Sequence, residues 1–441
     1  MSRFSPRLLL EQLREWPAAP CYWLALSGGL DSCVLLHALH RLSSELSAEV
    51  KAIHINHGWD PKAQEWAHFC QAICNELGIP CQVIAIDARP PPGESPEAWA
   101  RQRRYQAMER LLSQGEMVLT AHQQDDQAET LLLQLLRGAG PRGLAAMPRC
   151  IEFGPGWLGR PLLDFTRDEL NAYAIQEGLS WIEDPSNRNT RFDRNFLRQE
   201  IIPLLKRRWP NLSRTLARAA IWQADAARLL EDLARQDLEA VCSRQQGTLS
   251  VEALMQLETE RRNNALRFWF RNKGLPMPSA DQLNQLCQDA LKAGWDATPC
   301  LRWRGAEVRR YRDNLYALPP LPPHDPKIVL PWDLVTPLPL PLGTLRAERV
   351  HGTGLKATLG DHKKITIRFR QGGEHCRLQG RLHTRSLKHL FQEAGIPPWQ
   401  RDRIPLLYLD NKLAAVAGFW VCHPFGAEAE EEGWRILWDL D

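Results

Sequence analysis

Several features are missing from this chain, and each absence narrows what it can be. Its eleven cysteines include no Cys-x-x-Cys, and the nearest pair, Cys70 and Cys74, falls in a stretch of helical spacing. Scattered cysteines argue for reduced thiols in a cytoplasmic protein and against a zinc or iron–sulfur site. No window of about 18 uninterrupted apolar residues exists, so no membrane-spanning helix is expected. The opening residues, Met1-Ser2-Arg3-Phe4, carry no apolar signal core. No Gly-Lys-Ser/Thr closes a six-residue loop near the N-terminus, which excludes a Walker phosphate loop there. Gly138-Ala139-Gly140-Pro141-Arg142-Gly143 matches the dinucleotide fingerprint G-x-G-x-x-G letter for letter. It follows a helical run and carries Pro141 in the turn, so the strand that a dinucleotide site requires is not there.

What the chain does contain is ample core material and a length, 441 residues, that suits two or three domains. Its net charge of +3 hides an asymmetry. Residues 191–218 carry eight Arg or Lys against two acids, and residues 363–403 carry ten against three, which leaves the remainder acidic. Two basic blocks on such a background predict a polyanionic partner met at two places. Solvated surface is the alternative, and steep weakening of binding in salt separates the two.

The stretch that organises the chain is Ser27-Gly28-Gly29-Leu30-Asp31-Ser32. Residues 21–26 before it read as a strand buried on both faces, and residues 33–39 after it have the apolar spacing of a helix. Strand, glycine turn and helix bring free backbone N–H groups and the positive end of a helix dipole to one point, which attracts a phosphate. The glycines let the backbone approach an anion where a Cβ would block it. Ser27 and Ser32 add hydroxyl donors, and Asp31 is placed to carry a divalent ion accompanying a polyphosphate. The hexapeptide resembles the SGGxDS pyrophosphate loop of enzymes that adenylate a substrate with ATP and release pyrophosphate.

Further strands are expected at 50–57, 81–86 and 117–122, alternating with helices at 62–77 and from 97 onward, after a leading helix at 5–16. This alternation makes an α/β domain with a Rossmann-like parallel sheet and helices on both faces. His54, Asn56 and His57 form a polar strand end suited to a nucleotide rather than a metal set, because no carboxylate or Cys completes one. Glu97 and Arg101 stand at i, i+4 and can pair on their helix. The fourth strand leads into Thr120-Ala121-His122-Gln123-Gln124-Asp125-Asp126-Gln127-Ala128-Glu129-Thr130, followed by an apolar helix at 131–136. A capping box alone would explain Asp126-x-x-Glu129. Three carboxylates at a strand end beside a phosphate loop also suit Mg²⁺ or an amine.

Beyond residue 211 the character changes. Residues 212–241 read as one long helix bridging domains, 249–291 as further helices bearing Arg261, Arg262 and Arg267, and 300–316 as a strand hairpin. The Pro-rich stretches 319–323 and 337–341 read as linker or edge material. Strands at 365–369, 407–408 and 413–417 with a helix at 386–394 make a small mixed α/β C-terminal domain. The expected boundaries are a catalytic domain at 1–215, a mostly helical linker and middle domain at 216–320, a Pro-rich linker at 321–345, and the C-terminal domain at 346–441.

These motifs together carry a family resemblance. SGGLDS at 27–32, HQQDDQAET at 122–130 and RGAGPRGLAAM at 137–147 resemble the tRNA(Ile)-lysidine synthetase family of the pyrophosphate-loop superfamily. So do Arg160-Pro161-Leu162-Leu163, Trp181-Ile182-Glu183-Asp184-Pro185-Ser186-Asn187, Asp193-Arg194-Asn195-Phe196-Leu197-Arg198 and Pro397-Pro398-Trp399-Gln400-Arg401-Asp402-Arg403. The resemblance implies a ligase using ATP and Mg²⁺ on the wobble cytidine of an isoleucine tRNA with a CAU anticodon. The cytidine C2 oxygen attacks the α-phosphate of ATP and pyrophosphate leaves; the ε-amine of free L-lysine then displaces AMP, giving lysidine. It implies ATP binding by Ser27, Gly28, Gly29, Leu30, Asp31, Ser32 and His57, with Asp31 and Asp125 catalytic or Mg²⁺-binding and Asp126 and Glu129 holding the lysine. Arg101, Arg194, Asn195, Arg198 and Arg208 are expected at RNA or ATP phosphates. In the C-terminal domain Arg385, Lys388 and Arg401, with Trp399, are expected at an RNA backbone. Zinc, an iron–sulfur cluster and a membrane are not expected.

Two other readings carry different consequences. A tRNA thiolase on the same loop needs catalytic or cluster-binding cysteines, and no convincing spacing offers them. A non-catalytic tRNA-binding protein would have little use for an intact loop plus Asp125, Asp126 and Glu129.

Overall fold

The computed structural model describes residues 4–439 apart from 57, 59–60, 88, 92–95, 186–188, 244, 246, 296, 360–363 and 382. The chain divides into two compact units, Met1–Asp232 and Leu233–Asp441.

In chain order the first unit contains α1 (Pro6–Arg14), β1 (Cys21–Ala25), α2 (Leu30–Arg41), β2 (Glu49–Asn56), α3 (Ala63–Glu76), β3 (Cys81–Ala85), α4 (Pro96–Leu111) and β4 (Met117–Leu119). There follow α5 (Gln124–Leu136), α6 (Pro141–Leu144), β5 (Cys150–Phe153), β6 (Gly156–Gly159), α7 (Arg167–Gln176), α8 (Asp193–Phe196), α9 (Ile202–Arg208) and α10 (Leu212–Val241). Its sheet runs β3-β2-β1-β4-β6-β5. The first five strands in that order pair in parallel, and only β5 is antiparallel, hairpinned to β6.

The order explains where a ligand goes. The chain leaves β1 toward β2 on one side, and β4 then returns to the other side of β1. The crevice outside the carboxyl ends of β1 and β4 is therefore a topological switch point, the usual place for a ligand in an open α/β sheet. The helices that start there, α2 and α5, carry the two polar motifs. Beneath them Leu24, Val34, Leu35, Leu39, Met117 and Leu119 are fully buried, which fixes the strand ends in place. Truncating any such leucine to alanine costs ~2–5 kcal/mol.

Two local differences from the sequence expectation have physical causes. Helix α5 begins at Gln124, seven residues before the apolar run, and its first six residues are buried although they are polar or small. Apolar periodicity marks faces turned to a core, and this face turns to the site. The β5–β6 hairpin, unexpected in the sequence, extends the sheet beyond β4; Gly156 fits there because a Cβ would lie 2.1 Å from the Glu116 carbonyl oxygen.

The second unit holds the end of α10, helices Val251–Gln256, Thr259–Asn272 and Ala280–Gln285, and a four-stranded antiparallel sheet of Leu249–Ser250, Asn314–Leu318, Ala306–Tyr311 and Cys300–Trp303. Beyond it, a five-stranded sheet is built on Ile365–Arg368, Leu406–Leu409 and Lys412–Val416, with helix Leu387–Glu393 contributing Phe391 to its core. The Pro-rich stretches supply short edge pairings through Pro331 and Pro339, where a missing N–H costs no ladder bond. The longest pairing, Thr344–His351 against Glu432–Asp439, was not legible as strands. Nine cysteines are thiols, but Cys376 and Cys422 are bonded, with Cα atoms 5.5 Å apart and a sequence separation of 46. This corrects the expectation of reduced thiols throughout; short-range spacing carries no signal for such a pair.

Candidate active site

A cavity of about 770 Å³ opens at the switch point, lined by Ser27, Gly29, Asp31 and Ser32 from the glycine loop, by His54 to Asn56 of β2, and by Thr120 to His122 after β4. Arg167, Arg198, Arg101 and Arg104 also reach it, facing three acids, Asp31, Glu183 and Asp184. That size suits a nucleotide.

The loop is built to leave donors free. Gly29 caps α2 without a side-chain hydrogen bond, so the amides of the first turn have no acceptor within the helix. Ser27 Oγ lies 3.1 Å from Ser32 Oγ and accepts from the Gly29 amide at 3.3 Å, while Ser32 Oγ donates to the Gly29 carbonyl at 2.9 Å. Gly28 has φ +82°, and a Cβ there would stand 3.0 Å from Ile182 Cδ1 and 3.2 Å from Cys70 Sγ. Its carbonyl accepts from the Ile182 amide at 2.8 Å, which pins residues 181–185 beside the loop. Leu30, expected to meet ATP, lines the cavity and also belongs to the buried core cluster. His57 lies outside the described residues. The cysteine nearest the loop is structural: Cys33 Sγ donates to the Gly28 carbonyl at 3.3 Å, and burial pushes its thiol up to about 12.

Asp31 accepts from Arg167 Nη1 at 3.2 Å through Oδ2, whereas its Oδ1 is buried with no partner. Burial, against the pull of Arg167, raises its carboxyl to about 6. An orphaned carboxylate oxygen beside a phosphate loop fits Mg²⁺, which takes one or two protein carboxylates and completes its shell with phosphates and water.

Asp125 is differently engaged. Its Oδ1 accepts from Lys206 Nζ at 2.6 Å and from Ser213 Oγ, and its Oδ2 accepts from the Arg167 amide at 3.1 Å. Burial acts to raise its pKa, but these donors outweigh it and hold the carboxyl below the usual range. Asp125 thus ties α5 to α7, α9 and α10, and the structure leaves neither of its oxygens unpartnered.

A capping box does form at the start of α5, but it pairs Asp126 with Gln123 and not, as the sequence suggested, with Glu129. Asp126 Oδ2 closes that box with the Gln123 amide at 2.9 Å, while Oδ1 accepts from Arg198 Nη2 at 2.8 Å and Arg194 Nη2 at 3.1 Å. Glu129, 1 % exposed, accepts from Arg194 Nε at 2.8 Å and from Arg198 Nε at 2.6 Å. A π-helical turn, Leu197–Ile201, interrupts the run from α8 to α9 and carries Arg198. Such turns recur at functional sites. Burial opposes ionisation of Asp126, but Arg194 and Arg198 outweigh it and keep the carboxyl low. His122 hydrogen-bonds Thr120 through Nδ1 at 2.9 Å, and burial with Arg160, Arg194 and Arg101 nearby pushes it down, so the ring is neutral.

The two arginines face opposite ways. Arg198 lines the large cleft, and Arg194 lines a second cavity of about 270 Å³ with Arg101, Arg137, Thr130 and Gln134. Each guanidinium bonds both Asp126 and Glu129, and neither carboxylate lines either cavity. Arg101 lines both cavities and stacks on Tyr105, Asn195 donates to the Asn189 carbonyl at 3.0 Å, and Arg208 is exposed in the last turn of α9.

The C-terminal candidates separate. Lys388 is exposed on its helix, and Arg385 pairs with Glu393. Arg401 turns inward, donating to the Ile396 carbonyl at 2.7 Å and to Tyr311 Oη at 2.8 Å. Arg167, Lys206, Ser213 and Arg160 were missed, since each is a single polar residue in ordinary helical or loop sequence; only Arg160 sat in a quoted motif.

Known proteins bear the same arrangement of domains. Residues 6–205 match the PP-loop domain family, residues 249–316 the TilS substrate binding domain, and residues 365–438 the TilS substrate C-terminal domain. A tRNA(Ile)-lysidine synthase of Coxiella burnetii is 46 % identical over 435 residues, covering 98 % of this chain and 96 % of that one. Those of Methylococcus capsulatus and Alkalilimnicola ehrlichii are each 42 % identical, over 95 % and 98 % of this chain and 96 % of each relative. With three family domains in order and near-complete coverage, the chain belongs to the tRNA(Ile)-lysidine synthase family.

Proposed function

We propose that this protein joins L-lysine to C2 of the wobble cytidine of an isoleucine tRNA with a CAU anticodon, in two steps at the cleft above β1 and β4. One observation supports the reading: Arg198 lines the cleft that holds an uncapped helix start suited to a polyphosphate, and the same guanidinium pairs with the buried carboxylates Asp126 and Glu129, which suit an ammonium.

In the first step the triphosphate of ATP lies against the α2 amides, Ser27 and Ser32. The cytidine C2 oxygen attacks the α-phosphorus, the bond to the β-phosphate oxygen breaks, and pyrophosphate leaves. Asp31 Oδ1 is the oxygen to hold Mg²⁺, which supplies charge neutralisation on the phosphates. Arg167, paired to Asp31, sets that carboxylate's orientation. Arg198, already in the cleft, adds positive charge where the transferring group builds negative charge.

In the second step the lysine ε-ammonium gives a proton to solvent and attacks C2 as the free amine; the C2–O bond breaks, AMP leaves with that oxygen and its electron pair, and the new C2–N nitrogen releases its extra proton. Lysine arrives as a dication with one carboxylate. Asp126 and Glu129 receive an ammonium in exchange for a guanidinium, which keeps the buried charges balanced throughout. The neutral His122 adds no charge to repel the incoming ammonium. Three arginines around the smaller cavity, Arg101, Arg137 and Arg194, suit the lysine carboxylate.

The two steps can be separated experimentally. Asp126→Asn is expected to retain ATP–pyrophosphate exchange in the presence of tRNA within a few-fold while lysine transfer falls by about a hundred-fold or more. Equal loss of both steps would assign Asp126 to the adenylation chemistry instead.

A further inference from the structure

The basic block at 191–218 is not one surface. Arg194, Arg198 and Lys206 turn inward to Glu129, Asp126 and Asp125, whereas Arg191, Arg207, Arg208, Arg214 and Arg218 are exposed. Two of the outward cations fall on α10 at positions 214 and 218, one turn apart, and the next turn carries Ile221 and Trp222. The opposite stripe of the helix, Ser213, Ala217 and Ala220, is buried. The outward stripe is therefore a face that the fold of the first unit does not use. It exposes 63 % of Trp222, with the Arg218 guanidinium 5.5 Å from the ring centroid.

We infer that this face of α10, centred on Arg214, Arg218 and Trp222, is where the anticodon arm of the RNA substrate rests, with backbone phosphates on the arginines and an unstacked base on the tryptophan. The inference rests on the tRNA-modifying reading above and adds to it a surface outside the cleft. Three observations favour RNA as the occupant. First, cation and aromatic ring alternate at one-turn spacing, the combination that single-stranded nucleic acid meets with phosphate and base. Second, the face is tied to the site. Ser213, next to Arg214 in sequence, donates to Asp125 from the buried side of the helix, so the outward stripe lies about one helix width, ~10 Å, from Asp125, the neighbour of Asp126 on α5. A loop that delivers one base into the cleft brings its neighbours over this helix. Third, a second copy of the chain is a poor occupant. A two-fold contact would set Arg214 and Arg218 near their own copies, and the nearest acid on the stripe, Asp225, is already paired with Arg228.

The test is the affinity of the full-length protein for the isoleucine tRNA, measured across a salt series. Trp222→Ala is expected to weaken binding by about ten-fold with no change in the slope of log K against log salt, because a stacked base carries no counterion. Trp222→Phe should restore most of that loss. Arg214→Gln with Arg218→Gln should flatten the slope by about 1–2, the counterions of two phosphates. KM for ATP and for lysine should stay at the wild-type value in all three variants. Unchanged affinity and slope in folded variants would overturn the inference, as would a dimer in light scattering that Trp222→Ala dissociates. Should a variant fail to fold, Trp222→Gln and the single arginine variants decide in its place. The two proposals fail separately. Wild-type protein that forms lysidine while Trp222→Ala binds normally removes the surface alone; wild-type protein that binds with the predicted slopes but forms no lysidine removes the reaction alone.

Discussion

Asp31 shows how burial and function oppose each other in one side chain. Its raised pKa means that the folded protein holds a proton there which the unfolded chain has already released between about pH 4 and 6. Stability is therefore lost as pH rises through that window. Asp31→Asn should raise unfolding free energy at pH 7 by on the order of 2–3 kcal/mol, a gain that fades below pH 4, while removing activity. Urea unfolding at pH 4 and pH 7 checks this; equal effects at both would show that the carboxyl is not strained by burial. The same titration predicts that kcat/KM for ATP falls about ten-fold per unit below pH 6, since cation binding needs the carboxylate. Substitution at Glu129 has the opposite effect on stability. Glu129→Gln leaves Arg194 and Arg198 without half of their compensation and should cost about 3–5 kcal/mol in urea unfolding. At Gly28, an alanine must hold φ +82° and push Ile182 aside; a loss of ~1–3 kcal/mol and a raised KM for ATP are expected together. Individual loop residues were legible because glycine geometry is local. The partners of Asp125 and Asp126 were not, since Arg194, Lys206 and Ser213 lie 68, 81 and 88 residues away in sequence.

At the scale of elements, α10 was legible to the residue, because thirty residues of uninterrupted helical periodicity leave little choice. Helix α5 was legible only in its apolar half. Its first turns are polar and buried, the pattern that periodicity cannot read and that a site requires. The hydrogen bond from Ser213 to Asp125 is what couples these two helices. Ser213→Ala would leave Asp125 short of a donor in a buried place and should cost ~1–3 kcal/mol, seen as a lowered Tm. Unchanged stability would mean that Lys206 and the Arg167 amide suffice to hold Asp125. The β5–β6 hairpin and the strand pair at 344–351 and 432–439 escaped notice for another reason. One is four residues per strand, and the other pairs segments about ninety residues apart, whose alternation is interrupted by charged residues facing solvent.

Across the whole molecule, basic and aromatic residues close in sequence served two ends that sequence does not distinguish. In the first unit they face outward on α10. In the second, Trp399 is packed edge-on against Tyr316 and Tyr311 at 5.1 and 6.4 Å, with the Arg309 guanidinium 5.2 Å from its ring, and Arg401 bonds Tyr311. The stretch read as an RNA surface thus fastens the C-terminal sheets to the middle sheet of the same unit. Trp399→Ala should cost about 3 kcal/mol in the unfolding of that unit and leave ATP–pyrophosphate exchange unaltered if tRNA is saturating. The fold class was open to reading because motifs and alternation are strung along the chain. Which cations face inward was not, because that depends on buried carboxylates brought from elsewhere.

The central claim is the reaction itself, and incorporation of labelled lysine tests it most directly. Purified protein with ATP and Mg²⁺ is expected to transfer label to isoleucine tRNA with a CAU anticodon and not to elongator methionine tRNA bearing the same anticodon. Turnover of ATP without label in either RNA would contradict the account and direct attention to another acceptor at the same cleft.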